Sequence, residues 1–139
     1  MVAPNAWRAW LESTKKRGMA LGLSNTQNAL RELNLSPPDF ETVHVAGSNG
    51  KGTTIATLSA ALSAASIDHV AFTSPHLVRV EERIRLNGRP VSSARFDEGL
   101  SKVHEMVERT GIELTFFETT FLVAMVIADL EPVQALLLE

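Results

Sequence analysis

A strand-loop-helix transition around Gly47 constrains this chain more than any other stretch. Residues 40–46 alternate toward β-branched side chains, and residues 53–65 are rich in alanine and leucine. Between them runs Gly47-Ser48-Asn49-Gly50-Lys51-Gly52-Thr53-Thr54. Strand, glycine loop, lysine, hydroxyl pair and helix, in that order, meet the needs of phosphate binding. Glycines let backbone N–H groups turn inward, and the helix N-terminus adds a partial positive charge. In such a loop Lys51 reaches β- and γ-phosphates, and the hydroxyl of Thr53 or Thr54 can hold Mg²⁺. The pattern departs from the common G-x-x-x-x-G-K-[ST] form, because Gly52 separates the lysine from the first threonine. The alternative is a tight turn that needs glycine but binds nothing. The lysine and the two threonines among the glycines favour a nucleotide phosphate.

The rest of the chain alternates helices and strands. Ala6 to Lys16 predicts a helix with Trp7, Trp10 and Leu11 on one face, both tryptophans in the core. Residues 18–23 read as a loop. Thr26 to Leu33 predicts a second helix, N-capped by Thr26 and stopped before Pro37-Pro38. Val70-Ala71-Phe72-Thr73 is a short strand running into Ser74-Pro75-His76. Arg79, Glu81, Glu82, Arg83, Arg85 and Arg89 mark a solvated loop, with a turn at Asn87-Gly88. Ser93 to Thr110 predicts a polar-faced helix capped by Ser92 or Ser93, and Glu118 to Leu130 a more buried one. The apolar run 133–138 suits a central parallel strand. This alternation predicts an α/β fold, a parallel sheet carrying the phosphate loop with helices on both faces. The sequence stops at Glu139, directly after that last strand. The expectation is therefore one incomplete domain over 1–139, its final strand partly covered and prone to self-association.

Bulk properties exclude several classes. A net charge of −3 gives no support for a nucleic-acid surface. The absence of cysteine rules out disulfides, thiolate metal sites and cysteine nucleophiles. Met1-Val2-Ala3-Pro4-Asn5 lacks the basic and apolar run of a signal peptide. The longest apolar stretch, 121–128, is far short of the ~20 residues a membrane span requires. A cytoplasmic protein with neither nucleic-acid nor membrane partners is expected.

Three motifs together resemble one family. They are His44-Val45-Ala46 with the loop through Thr54, then Thr73-Ser74-Pro75-His76-Leu77 with Glu82-Arg83-Ile84, then Leu114-Thr115-Phe116-Phe117-Glu118-Thr119-Thr120. The chain resembles folylpolyglutamate synthase and the related dihydrofolate synthase, from Leu21-Gly22-Leu23 to its last residue. The loop alone would point only to the wider Mur ligase superfamily, so another amide ligase of that group is the near alternative. The Ser-Pro-His-Leu and Phe-Phe-Glu segments select the folate branch. Ser48 stands where the family usually has threonine.

The resemblance implies an ATP-dependent, EC 6.3.2-type ligase of folate biosynthesis and one-carbon metabolism, expected to be a monomer. In such enzymes ATP phosphorylates a carboxylate of folate or dihydropteroate, and the amine of glutamate attacks the acyl phosphate. That chemistry calls for a triphosphate cradle, Mg²⁺ and a positioned acceptor. The resemblance places the cradle on Gly47, Ser48, Asn49, Gly50, Lys51, Gly52, Thr53 and Thr54, with Lys51 as the catalytic cation. It places magnesium ligands on Ser74 and Glu139. It places the pterin pocket on Arg17, Gly18, Met19 and Ala20 with Thr115, Phe116, Phe117 and Glu118, and adds His76 as a folate-loop contact. The family's further metal-supporting histidine and modified lysine, and its C-terminal domain for adenine and glutamate, have no counterpart here. The resemblance thus covers an N-terminal part, roughly a third, and an inactive nucleotide-binding fragment is the alternative reading.

Several of these residues have a structural reading too. Ser74 can cap the turn before Pro75, and Glu139 can be an exposed terminal residue. His76 can be a turn residue bonded to backbone, and Glu118 can pair with a helix dipole. His44 reads as a core or edge histidine, while His69 and His104 read as solvent-facing. The charges of 79–89 suggest, by the resemblance, a mobile loop between phosphate and folate sites.

Overall fold

The computed structural model describes residues 4–35 and 39–139. Pro37 and Pro38, expected to stop the second helix, lie outside the described residues. The chain divides into two compact units, with boundaries between Ser36 and Pro37, Ser93 and Ala94, and Ile127 and Ala128.

The first unit is helical. It holds α1 (Pro4–Thr14), α2 (Ser24–Glu32), α4 (Ser93–Thr110) from Ala94 onward, and α5 (Phe116–Leu130) up to Ile127. A short 3₁₀ turn, Lys15–Arg17, follows α1 and ends at Gly18. Phe96, Leu100, Val103 and Met106 recur at near-helical spacing along α4, and all are buried. Leu122, Val123, Val126 and Ile127 of α5 are buried with them. Gly99 lets α4 and α5 approach closely, since a Cβ there would lie 3.0 Å from Val123 Cγ1 and 3.3 Å from Ile127 Cγ1.

Two expectations for this unit change. Leu11 is core, but Trp7 and Trp10 are only half-buried. An indole is too large to be fully covered by helices this short. Trp10 instead meets His104 edge-on, with ring centroids 4.9 Å apart, so His104 does not simply face solvent. Thr26 lies inside α2 rather than capping it.

The second unit is built on a five-stranded sheet in the order β1-β5-β2-β3-β4. Its strands are β1 (Glu41–His44), β2 (His69–Phe72), β3 (Ile84–Leu86), β4 (Arg89–Pro90) and β5 (Ala135–Leu138). β1, β5 and β2 are parallel, as expected. β3 runs antiparallel to β2, and β4 antiparallel to β3, so the sheet is mixed. The supposed solvated loop is thus a 3₁₀ turn, Val80–Arg83, followed by a hairpin. Asn87 and Gly88 take φ of 51° and 82°, the left-handed pair that a two-residue hairpin turn demands.

α3 (Lys51–Ala64) covers one face of this sheet. Its Ile55 packs with Ala71 and Leu137, flanked by Val45, Leu58 and Leu62. On the opposite face Val70, Phe72 and Leu136 are buried as well. The final strand is therefore central and covered, not a loose edge. The sheet edges fall on β1, whose four residues are all exposed, and on the two-residue β4. His44 is an edge histidine. His69, read as solvent-facing, is fully buried at the start of β2.

Candidate functional site

Parallel strands deliver their C-terminal ends to one edge, where open α/β sheets bind ligands. Beyond β1, the Val45 N–H donates to the Leu138 carbonyl at 2.7 Å. Beyond β5, the Glu139 N–H donates to the Phe72 carbonyl at 3.0 Å. The phosphate loop, Glu139 and Ser74 thus leave three neighbouring strands side by side. The Ser74 N–H donates to Glu139 Oε2 at 3.2 Å, so two residues far apart in sequence meet.

The loop enters α3 through Gly50, whose φ of 78° and ψ of 4° form a left-handed N-cap that glycine adopts without Cβ strain. Lys51 folds back, its Nζ donating to the Gly47 carbonyl at 2.9 Å. Thr54 Oγ1 donates to the Gly50 carbonyl at 2.9 Å, inside the first turn of the helix. Thr53 is exposed, and its hydroxyl makes no hydrogen bond among the described residues. Thr53 offers both its proton and its lone pairs, while Thr54, whose proton goes to Gly50, offers lone pairs only.

A cavity of about 580 Å³ runs from this edge along α3. Gly52, Thr73, Ser74 and Glu139 line one part of it, and Ser59, Arg85 and Gly88 another. Ser74 and Glu139 supply the hard oxygen donors that Mg²⁺ prefers, beside an N-terminal helix turn that favours phosphate. These residues fit a nucleotide with its metal. Among the described residues no group of three or more histidines and carboxylates gathers to hold a metal, so ligand and water oxygens would complete the coordination. Thr73 and Arg85 also line the cavity, and the sequence reading did not name them as candidates. The alternation Ile84-Arg85-Leu86 before Asn87-Gly88 was the available sign of a strand that turns Arg85 to one face.

The segment after Ser74 is organised by Glu82. Its carboxylate accepts the N–H groups of Leu77 at 2.9 Å, Val78 at 3.1 Å and Arg79 at 2.8 Å. The Leu77 bond first, then the Arg79 bond, holds the Glu82 carboxyl below its ordinary pKa. Burial lowers the pKa of Arg83, whose Nε donates to His76 Nδ1 at 2.8 Å. His76 is therefore bonded to the Arg83 side chain. Leu77 and Val78 are exposed at the tip.

The residues matched to a pterin pocket lie in the helical unit, and His76, the expected folate-loop contact, belongs to the other. Arg17 Nη1 donates to the Leu114 carbonyl at 2.8 Å, joining the end of the 3₁₀ turn to the segment before α5. Met19 and Leu21 are almost fully exposed, and Phe117 is half-exposed. Glu118 is buried and has a structural task. Its Oε2 accepts from the Thr115 N–H and from Thr115 Oγ1, both at 2.9 Å, and its Oε1 accepts from Thr26 Oγ1 at 3.1 Å. Its own N–H donates to Thr115 Oγ1 at 3.2 Å. Thr115-Phe116-Phe117-Glu118 is a capping box, legible in the sequence as T-x-x-E before an apolar run.

Comparison with known proteins follows this geometry. No family profile matches the chain. It is 34% identical over 113 residues to the dihydrofolate synthase/folylpolyglutamate synthase of Escherichia coli K12, covering 81% of this chain and 26% of that protein. It is 32% identical over 101 residues to the Bacillus subtilis protein of the same name, covering 73% and 24%. Among solved structures, E. coli FolC in complex with DHPP and ADP superposes with a TM-score of 0.87 at 32% identity, over 99% of this chain and 33% of that one. The bifunctional folylpolyglutamate synthase/dihydrofolate synthase of Yersinia pestis, complexed with AMPPNP and a Mn ion, gives 0.85 at 33% identity, over 100% and 33%. The chain spans 26% of the first relative and 33% of these solved chains.

Proposed function

Because the chain belongs to the folylpolyglutamate synthase/dihydrofolate synthase family, we propose that it carries the nucleotide- and metal-binding edge of an ATP-dependent ligase that adds L-glutamate to folate or dihydropteroate. The observation that carries this reading is the convergence of the phosphate loop, Ser74 and Glu139 at the ends of three adjacent parallel strands. Backbone N–H groups of the loop cradle the phosphates, and Lys51 swings from the Gly47 carbonyl onto them. Mg²⁺, when bound, neutralises phosphate charge, and Ser74 and Glu139 with Thr53 are the residues that would hold it. The exposed Met19 and Phe117 supply apolar surface suited to a flat aromatic ring, and Arg17 fixes the loop that bears Met19. Glu118 serves this surface by holding Thr115 and Thr26 in place. The protein has no helix long and apolar enough to cross a membrane among its described residues.

The test is calorimetric titration of the 139-residue chain with a non-hydrolysable ATP analogue and Mg²⁺, wild type against Lys51→Ala. A hydrogen bond involving a charged group contributes about 1.5–3 kcal/mol, which is about a 10- to 150-fold loss of affinity. Unchanged affinity in the variant would remove the loop from the reading.

A further inference from the structure

His69 is fully buried, and both its ring nitrogens are committed. Nδ1 lies 2.9 Å from the Ile67 carbonyl, and Nε2 lies 2.7 Å from Ser59 Oγ. A carbonyl only accepts, so Nδ1 carries the proton, and in the neutral ring Nε2 accepts from the Ser59 hydroxyl. The backbone of the same residue is tied as well. His69 N–H donates to Asn87 Oδ1 at 2.9 Å, and its carbonyl accepts the Asn87 N–H at 2.9 Å. Asn87 Nδ2 donates in turn to Asp68 Oδ1 at 2.8 Å. Gly88 closes over the serine, where a Cβ would stand 3.5 Å from Ser59 Oγ. Helix α3, strand β2 and the hairpin turn meet at this one polar point.

A buried neutral hydrogen bond adds little net stability, but it accepts one geometry and penalises others. α3 has need of such a device. Along the cavity it presents Ala56, Ala60 and Ser63, while Ile55, Leu58 and Leu62 pack on the sheet side. Apolar contact is non-directional, so a directional bond sharpens the register that packing on one side of the helix sets. Both tied elements end at the nucleotide edge: α3 begins at Lys51, and β2 ends at Phe72, just before Ser74. Ser59 stands about 12 Å along the helix from Lys51, at 1.5 Å per residue.

We propose that the His69–Ser59 pair is a positioning device that sets the register of α3 against β2, and with it the spacing between the phosphate loop and Ser74. The proposal rests on the nucleotide reading above. It assigns the pair to metal-bridged binding in particular, because only a metal requires loop and Ser74 at once. The pair is assigned to the placement of α3 and β2, although Ser59 also lines the far part of the cavity.

The test titrates the 139-residue chain with the ATP analogue, in Mg²⁺ and in EDTA, for His69→Leu, His69→Gln and Ser59→Ala. His69→Leu is expected to weaken Mg²⁺-dependent binding about tenfold, as losing an outer partner of a metal site does, and to leave metal-free binding unchanged. Ser59→Ala should behave the same way, and it serves alone if the leucine variant does not fold. His69→Gln, whose Oε1 can still accept from Ser59, should restore most of the loss. A uniform loss with and without Mg²⁺, or none, overturns the proposal. Backbone amide shifts of the ligand-free chain provide a readout that needs no nucleotide. The variants should move the signals of 50–54 and of Thr73 and Ser74 together, and changes confined to the neighbours of 59 and 69 overturn the idea. If the wild type binds no nucleotide, yet the variants show those coupled shifts, the nucleotide reading is defeated and the register device stands.

Discussion

Replacing Glu118 with alanine separates its structural task from a role in a pocket. The side chain accepts three hydrogen bonds while 8% exposed. Two of the donors are hydroxyls, which can rotate to another acceptor, so their loss is cushioned. The third is the Thr115 N–H, buried at the start of α5 with nowhere to turn. An orphaned buried donor costs about 1–3 kcal/mol, while the Thr115 hydroxyl still caps the backbone N–H of residue 118. Urea unfolding followed by far-ultraviolet circular dichroism would read this as a lower midpoint at constant slope. With a slope of about 1–3 kcal/mol/M the shift is on the order of 1 M. Glu118→Gln keeps one acceptor oxygen and should cost about half as much. Combining Glu118→Ala with Thr26→Val should cost less than the sum of the single changes, because both remove the same contact. A Glu118→Ala chain with the wild-type midpoint would refute the capping account and return Glu118 to a ligand-binding role.

Two further outcomes follow from other contacts. At Glu82 the folded pKa lies below the ordinary value of 4.5, so its stabilising effect is complete above that pH and is lost as pH falls through the lowered folded value. The amide signals of Leu77, Val78 and Arg79 should therefore titrate together with a midpoint under 4.5, and Glu82→Gln should abolish that titration. At Gly99 a valine would press on Val123 and Ile127, and overpacking of this kind costs about 1–3 kcal/mol, visible as a lower thermal midpoint. A Gly99→Val melt equal to wild type would mean that α4 and α5 separate freely.

What could be read from the sequence divides by the range of the forces involved. The glycine loop and its helix are legible because backbone conformation is dictated within a few residues: Gly50 is needed where φ is 78°, whatever packs nearby. α4 is legible from end to end because Phe96, Leu100, Val103 and Met106 print a helical period on the chain. β5 is legible as a central strand because a strand buried on both faces leaves an unbroken apolar run. The hairpin is hidden because β3 is only three residues long and its neighbours are charged. Nothing local says that Glu81 and Arg83 will be buried there. His69 is misread for the same reason: its partner Ser59 is supplied by another element, and a lone histidine carries no record of that partner. The meeting of Ser74 with Glu139 is a matter of sheet order, which periodicity does not encode; the family resemblance anticipates it, together with the rule that parallel strands bring their ends to one edge.

The size of the Lys51 effect follows from where its ammonium rests. In the ligand-free chain Nζ already has an acceptor in the Gly47 carbonyl, at an exposed position. Nucleotide binding therefore exchanges one acceptor for another, and the gain is the difference between a phosphate oxygen and a carbonyl. Near solvent a carbonyl bond is roughly matched by water, so little is lost in leaving it. Against that, the phosphate contact is itself screened at an exposed edge. The loss in Lys51→Ala should accordingly fall toward the tenfold end of the range, with the backbone N–H groups of the loop and the α3 terminus retaining the rest. Raising the salt concentration should narrow the gap between wild type and variant further, because the lysine acts through charge while the backbone cradle acts mainly through short, directional bonds. A gap that does not change with salt would mean that Lys51 shapes the loop through Gly47 instead of meeting the phosphate.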